Sequence, residues 1–265
     1  MPAPIKLSSP ATSEFWEIPT LFEDAHLLAL DKPTGMPTTP DRHDPEKPCL
    51  MRLLHAGIAA GKPWAVDRSL GYLSHAHRLD AETGGVLLLA KDKTVLLKLA
   101  EAFGSEKPVL RFLALVRGEP RDVRFEVDAK LAPHPVTPGL MLVSPREGKR
   151  ARTLFEVLEK FSDYALLACS PLPGRAQQVR AHLRHSGLPV VGDVLYGGKP
   201  LWLSRLKRDY RLKEGHEERP LIGRVALHAE QLTLPHPVTG ESLVITSPWP
   251  KDVKVAVKYL RQFAK

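Results

Sequence analysis

Only two cysteines, Cys49 and Cys169, occur in 265 residues, each within an apolar pattern. That count excludes a disulfide scaffold and a structural zinc site built on thiolates, and it suits two buried thiols in a reducing compartment. No apolar run approaches the roughly 20 residues needed to span a bilayer. Residues 1–10 have no apolar core of signal-peptide type. Internal repeats and biased linkers are also missing. These absences predict a cytoplasmic protein with no membrane partner.

Hydrophobic residues make up 43% of the chain and charged residues 26%, ordinary values for a folded protein. Lys and Arg outnumber Asp and Glu by 38 to 30, a formal net charge of +8. A basic balance of this size suits a polyanion, because each cation that neutralises a phosphate releases a counterion. Charge density peaks in residues 199–219, with seven Lys or Arg against four Asp or Glu. That segment reads either as an RNA-facing insertion or as a solvated loop of mixed sign.

Residues 1–17 are polar and rich in Pro, Ser and Thr, the composition of a flexible N-terminal arm. Residues 18–265 then read as one domain. Leu21–Glu23 and His26–Leu30 form a strand–turn–strand pattern. Pro33, Pro37, Pro40, Pro45 and Pro48 mark an irregular connection, and Leu50, Leu53, Leu54 and Ile58 recur at helical spacing before Gly61. Val86–Ala90 is a buried strand. Asp92 is placed to cap a helix carrying Leu96, Leu99, Ala100 and Phe103, closed by Gly104. Val123, Phe125, Val127 and Ala129 alternate with charged residues, as in a sheet with one wet face. Thr153–Leu158 and Tyr164–Ser170 read as strands, and residues 133–150 as a Pro/Gly-rich loop. A short helix carries Val179 and Leu183 and stops at Gly187. Ala226–Leu234 and Ser242–Thr246 flank a hairpin turn, and a final helix turns Val253, Ala256, Val257, Leu260 and Phe263 inward. Strands following strands with few helices between them predict an α+β fold, a mixed and mainly antiparallel sheet flanked by a few helices.

The most informative stretch is His77-Arg78-Leu79-Asp80-Ala81-Glu82-Thr83-Gly84-Gly85, set just before the apolar run Val86–Ala90. It puts a carboxylate on a loop at the end of a rigid element, where catalytic residues tend to sit. On local pattern alone, an Asp ahead of Ala-Glu-Thr-Gly-Gly is more simply a turn residue bonding its own backbone.

The stretch resembles the catalytic motif of RluA-type pseudouridine synthases, in which His-Arg-Leu-Asp is followed, across two residues, by Thr. Further matches occur in order. Leu21–Met36 resembles the family's opening hairpin and Phe112–Gly118 its second motif. Gly174-Arg175 with Gln178-Val179-Arg180-Ala181-His182-Leu183 resembles its third. Gly192-Asp193, Tyr196-Gly197, Leu227–Ala229 and His236–Glu241 complete the series. The resemblance implies the pseudouridine synthase catalytic core, no cofactor, and RNA, ribosomal or transfer, as partner of a monomeric enzyme. It makes Asp80 the essential carboxylate, Arg180 the cation that keeps it ionised, and Phe112 a ring that stacks on the extruded uracil. Arg78, His77, Arg175 and Gln178 become candidate RNA contacts, with Arg78 placed to enter the stack as the base leaves.

Several positions depart from the family pattern. Phe112 stands where Tyr is usual, so this ring has no hydroxyl for proton transfer. Leu110 replaces a Lys, Gly84 a Ser, and Pro173–Gln178 reads Pro-Gly-Arg-Ala-Gln-Gln where Thr-Gly-Arg-Thr-His-Gln is usual. With some 17 residues ahead of the first strand, target selection is expected to fall to the core's own loops. Two other readings compete: an RNA-binding relative with altered catalysis, and a metal hydrolase built on His75 and His77 with Asp80, His182, His185 and Asp193.

Overall fold

The computed structural model describes residues 3–40, 44, 46–212 and 215–265. Pro45 of the irregular connection and Lys213 and Glu214 of the charged segment lie outside the described residues. The strands ahead of the first helix are β1 (Ile5–Ser9), β2 (Glu14–Ile18), β3 (Thr20–Glu23) and β4 (Leu27–Lys32). Helices α1 (Leu50–Ala59) and α2 (Pro63–Val66), strands β5 (Ser74–His75) and β6 (Gly84–Ala90), and helix α3 (Lys93–Gly104) follow. Next come β7 (Val109–Arg117), β8 (Arg124–Asp128), β9 (Leu131–Pro133), β10 (Met141–Val143), β11 (Arg152–Phe161) and β12 (Tyr164–Leu172). The chain ends with α4 (Gln178–His185), α5 (Leu203–Leu206), β13 (Leu227–Pro235), β14 (Ser242–Thr246) and α6 (Lys251–Phe263). This is the mainly antiparallel α+β architecture that the pattern predicts.

Where the sequence predicts one domain over 18–265, the chain packs as two compact units, Met1–Leu110 with Ala229–Pro248, and Arg111–His228 with Trp249–Lys265. In the first unit the strand order is β3-β4-β6-β13, with β14 on β13 and β5 on β6. Every residue of β6 is buried, which explains why it reads as a continuous apolar run with no alternation. Val86, Leu88 and Ala90 pack with Leu27 and Ala29 of β4, Val95 and Leu99 of α3, and Leu232, Leu234 and Ile245. The carboxylate of Asp92 accepts from the Val95 N–H at 2.8 Å, the expected N-cap of α3.

The flexible arm expected over 1–17 is instead a hairpin. Strands β1 and β2 pair antiparallel from Ile5↔Ile18 to Ser9↔Glu14. The alternation Ile5, Leu7, Ser9 faces inward, so a period of two lay within a segment whose overall composition reads as unstructured.

In the second unit the order is β7-β12-β11-β8, each neighbouring pair antiparallel. The loop expected over 133–150 contains a short ladder, since Leu131–Pro133 pairs with Met141–Val143. Helix α6 buries Val253, Ala256, Val257 and Leu260, whereas Phe263, expected inward, is half-buried. No helix among the described residues is long and apolar enough to cross a membrane.

Candidate active site

Asp80 lies half-buried in the loop between β5 and β6. Main-chain bonds hold this loop on both sides of it. Thr38 grips Leu79 twice, its hydroxyl donating to the Leu79 carbonyl at 2.9 Å and accepting from the Leu79 N–H at 3.2 Å. On the far side the Gly35 N–H donates to the Ala81 carbonyl at 2.7 Å, and the Thr83 N–H closes a turn on the Asp80 carbonyl at 3.1 Å. Asp80 is therefore a turn residue, as the local pattern suggests, and also one whose position is over-determined by a second segment. The Thr83 hydroxyl is buried with no hydrogen-bond partner among the described residues, a polar group that the fold leaves unsatisfied.

The loop enters β6 through Gly84 and Gly85. At Gly85, φ is +112° and an added Cβ would come within 2.2 Å of the Ala229 carbonyl oxygen of β13. No side chain fits there. At Gly84, where the family commonly carries Ser, a Cβ would meet the Lys32 carbonyl oxygen and the Thr34 hydroxyl at 3.0 Å, so the exchange for glycine matches tight packing.

Sequence reasoning passed over Lys32. Its side chain is 1% exposed, and its Nζ donates to the carbonyls of Pro33 at 2.9 Å, Met36 at 2.6 Å and Ala81 at 3.4 Å. An ammonium has three donors, and here each finds a carbonyl. Burial pushes the Lys32 pKa down to about 7, against the opposing pull of the Asp80 and Glu82 charges. Lys32 thus ties the 33–36 turn to the residue after Asp80 and sets a positive charge near the carboxylate. A lysine closing an apolar strand just ahead of Pro33-Thr34-Gly35 is the signal that points to it.

In the second unit Arg180 sits on α4 and is 2% exposed. Its guanidinium makes a bidentate pair with Asp193, Nε to Oδ2 at 2.7 Å and a terminal nitrogen to Oδ1 at 2.8 Å. It also lies 5.0 Å from the centroid of the Tyr196 ring. Gly192 makes room for this arrangement: φ is +76°, and a Cβ would fall 1.9 Å from the Arg224 carbonyl oxygen. At this burial Arg180 is not a surface residue of its helix. Phe112, 8% exposed, stands opposite Cys169 in the ladder between β7 and β12. Burial pushes the Cys169 thiol up, so it stays protonated, and both cysteines are unbridged and buried.

Residues 26–185 match the family described as RNA pseudouridylate synthase. The chain belongs to that family. Among curated relatives it is 36% identical to "Ribosomal large subunit pseudouridine synthase D" of Nitrosomonas europaea, the match covering 91% of this chain and 64% of the relative. It is 33% identical to "Ribosomal large subunit pseudouridine synthase C" of Escherichia coli K12, covering 91% of this chain and 69% of the relative. The chain therefore spans about two thirds of the length of these relatives. Two solved human structures have a similar fold. "Human RNA Pseudouridylate Synthase Domain Containing 4" has a TM-score of 0.66 at 24% identity, covering 91% of this chain and 92% of that one. "Human RNA Pseudouridylate Synthase Domain Containing 1" has a TM-score of 0.63 at 20% identity, covering 92% and 95%.

Two residues picked as RNA contacts are occupied by the fold. His77 Nε2 accepts from the Leu88 N–H at 3.1 Å, and burial, then His75, holds its pKa down to about 4. A ring kept neutral and bonded to β6 brings no charge to a phosphate. Gln178 is 1% exposed. Its amide donates to the Arg152 carbonyl at 2.8 Å and the Thr153 hydroxyl at 3.1 Å, and accepts from the Arg175 N–H at 3.0 Å. Thr153 continues the chain to His182 Nδ1 at 2.8 Å, and His182 Nε2 bonds the Ala129 carbonyl at 3.2 Å. Gln178 is a brace. Arg78 is exposed and Arg175 half-buried, so both keep surface for a partner.

The metal-hydrolase alternative loses its donor set. Among the described residues no group of three or more His, Cys, Asp or Glu is placed to hold a metal ion. His77 and His182 are engaged as above, and both Asp193 oxygens face Arg180.

Proposed function

We propose that this chain is an RNA pseudouridine synthase that isomerises specific uridines, with Asp80 as the essential carboxylate. The observation that carries this reading is the grip on the Asp80 loop, in which Thr38, Gly35 and Lys32 fix residues 79 and 81 on either side of one carboxylate. The reaction breaks the bond from the ribose C1′ to uracil N1, turns the ring, and rejoins it through C5, whose proton is then lost. No electrons enter or leave. Such chemistry asks for a fixed charge at the sugar and a shaped site for the freed ring, and positioning contributes much of the rate. Arg180 is the proposed cation partner of Asp80, and Phe112 the proposed stacking surface. With Phe at 112, the C5 proton passes to a group other than this ring.

Exposing a uridine from paired RNA costs a few kcal/mol, and Arg78 is the residue assigned to offset part of that, a role its exposure supports. The relatives named for the ribosomal large subunit make that RNA the first substrate to test. The reading carries with it a monomeric protein of the cytoplasm. The decisive experiment maps pseudouridine in unmodified ribosomal and transfer RNA after incubation with the protein and with Asp80→Asn. New pseudouridine is expected at discrete sites with the parent and none with the variant, which should fold and bind RNA normally. RNA binding without isomerisation by the parent would leave the alternative, an RNA-binding relative with altered catalysis.

A further inference from the structure

The charged segment beginning at Lys199 is not a featureless solvated loop. Leu201 forms a bridge with Ile222, both are buried, and α5 follows directly. Together with the last residue of β7, the β11–β12 turn and the end of α6, this segment encloses a cleft of about 550 Å³. Its lining has two chemical characters. Arg117, Lys199 and Arg205 supply three cations against the single carboxylate of Asp163, while Tyr164, Trp202 and Phe263 supply aromatic surface. None of the three cations makes a salt bridge with a described residue. The charges of Arg117, Asp163 and Arg205 all act on the Tyr164 hydroxyl, whose pKa burial raises. Lys207 adds a fourth cation 6.0 Å from the centroid of the Phe263 ring.

Cations with no salt-bridge partner among the described residues, beside partly exposed aromatic faces, match a ligand that has both phosphates and flat rings. The cleft is within the size range of sites for small organic groups. Along β7 it lies five residues beyond Phe112, since Arg117 pairs with Tyr164 where Phe112 pairs with Cys169. At strand rise that is about 17 Å, beyond the roughly 8–10 Å over which a charge acts through physiological salt. The charges of this cleft are therefore screened from Phe112.

We propose that this cleft binds an unpaired nucleotide of the RNA substrate away from the target uridine, its phosphate on Lys199 and Arg205 and its base against Trp202. The proposal rests on the reading of the chain as an RNA-modifying enzyme, and it gives the charged segment a task in choosing among RNAs. An RNA strand is the occupant chosen over a free nucleotide because a further cation, Lys207, lies by the Phe263 ring beyond the residues that line the cleft.

The test uses a short oligoadenylate, which holds no uridine and cannot fill a uracil site. For the double variant Lys199→Ala/Arg205→Ala, the slope of log affinity against log salt should flatten by about 1.4, the loss of two single-strand phosphate contacts. Trp202→Ala should weaken binding roughly tenfold, one stacked base, and Trp202→Phe should restore most of it. With a long RNA substrate, KM should rise in the same variants with kcat unchanged. Unchanged slope and affinity, or a fall in kcat at constant KM, would overturn the proposal. So would AMP binding the cleft as tightly as the oligoadenylate does. A parent protein that makes no pseudouridine would sink the enzyme reading instead, and the uridine-free strand would still report on the cleft.

Discussion

Around Asp80 the bonds that set the geometry end on main chain: the Leu79 carbonyl and N–H, the Asp80 carbonyl and the Ala81 carbonyl. Around α4 they are made by side chains, with Arg180 on Asp193, Gln178 on Thr153, and Thr153 on His182. The first region is a loop clamped from outside, and the second is a helix whose Gln178, Arg180 and His182 are bonded to neighbouring side chains. Both belong to family motifs, and on paper their residues look equally functional. The difference lies in where each side chain's hydrogen bonds go. Gln178 and His182, bonded through both ends of the amide or ring, serve the fold.

The sharpest way to break that comparison is Arg180→Ala. It leaves the Asp193 carboxylate buried and unpaired, and a loss of about 3–5 kcal/mol in stability is expected. Denaturant unfolding measures it. A loss below about 1 kcal/mol would mean that Asp193 finds another partner and that α4 does not depend on its ion pair.

A smaller effect is expected at Phe112, where the question is whether a nearly buried ring serves the fold or the substrate. Phe112→Ala should slow single turnover about tenfold to a hundredfold, a stacking contribution of about 1–3 kcal/mol, while Phe112→Tyr should stay close to the parent. Lower melting temperature with normal turnover in the Ala variant would place Phe112 with Gln178 among the residues that only build the unit.

A third test, of pH dependence, falls on Lys32. Its pKa is about 7 folded against an ordinary value of 10.5, so between these the unfolded chain holds the extra proton. The parent should therefore gain stability as pH rises from about 7 to 10, a gain absent from Lys32→Met. Melting temperatures of both proteins across that range decide the matter, and parallel curves would show that burial does not hold the ammonium down.

Much of this arrangement is legible in the chain itself. The unbroken apolar run of β6, the Asp92 cap, the inward stripe of α6 and the alternation in β8 are local patterns that packing did not override. The β1–β2 hairpin was hidden because Pro, Ser and Thr at its ends mask an alternation of only a few residues. The β9–β10 ladder was hidden by the prolines and glycine around it. In the candidate site, the motif order marks Asp80, Arg180 and Phe112 as the residues to test. It cannot say which polar side chains of a motif point into the protein, because that depends on partners far off in sequence. Gln178 needs Thr153, and His77 needs the N–H of Leu88. Lys32 was missed for the same reason, its third carbonyl lying 49 residues away.

The division into two units has a consequence for how the chain is made. The first unit takes Leu232, Leu234 and Ile245 into the same core as Leu27, Val86 and Leu99, yet Arg111–His228 of the second unit is encoded between those two groups. During synthesis the edge of β6 that pairs with β13 stays open until residues 229–235 emerge. The loop bearing Asp80 gains its Gly85–Ala229 packing only then. A truncated product would thus carry the catalytic motif with no finished scaffold under it, and would expose apolar strand surface to aggregation.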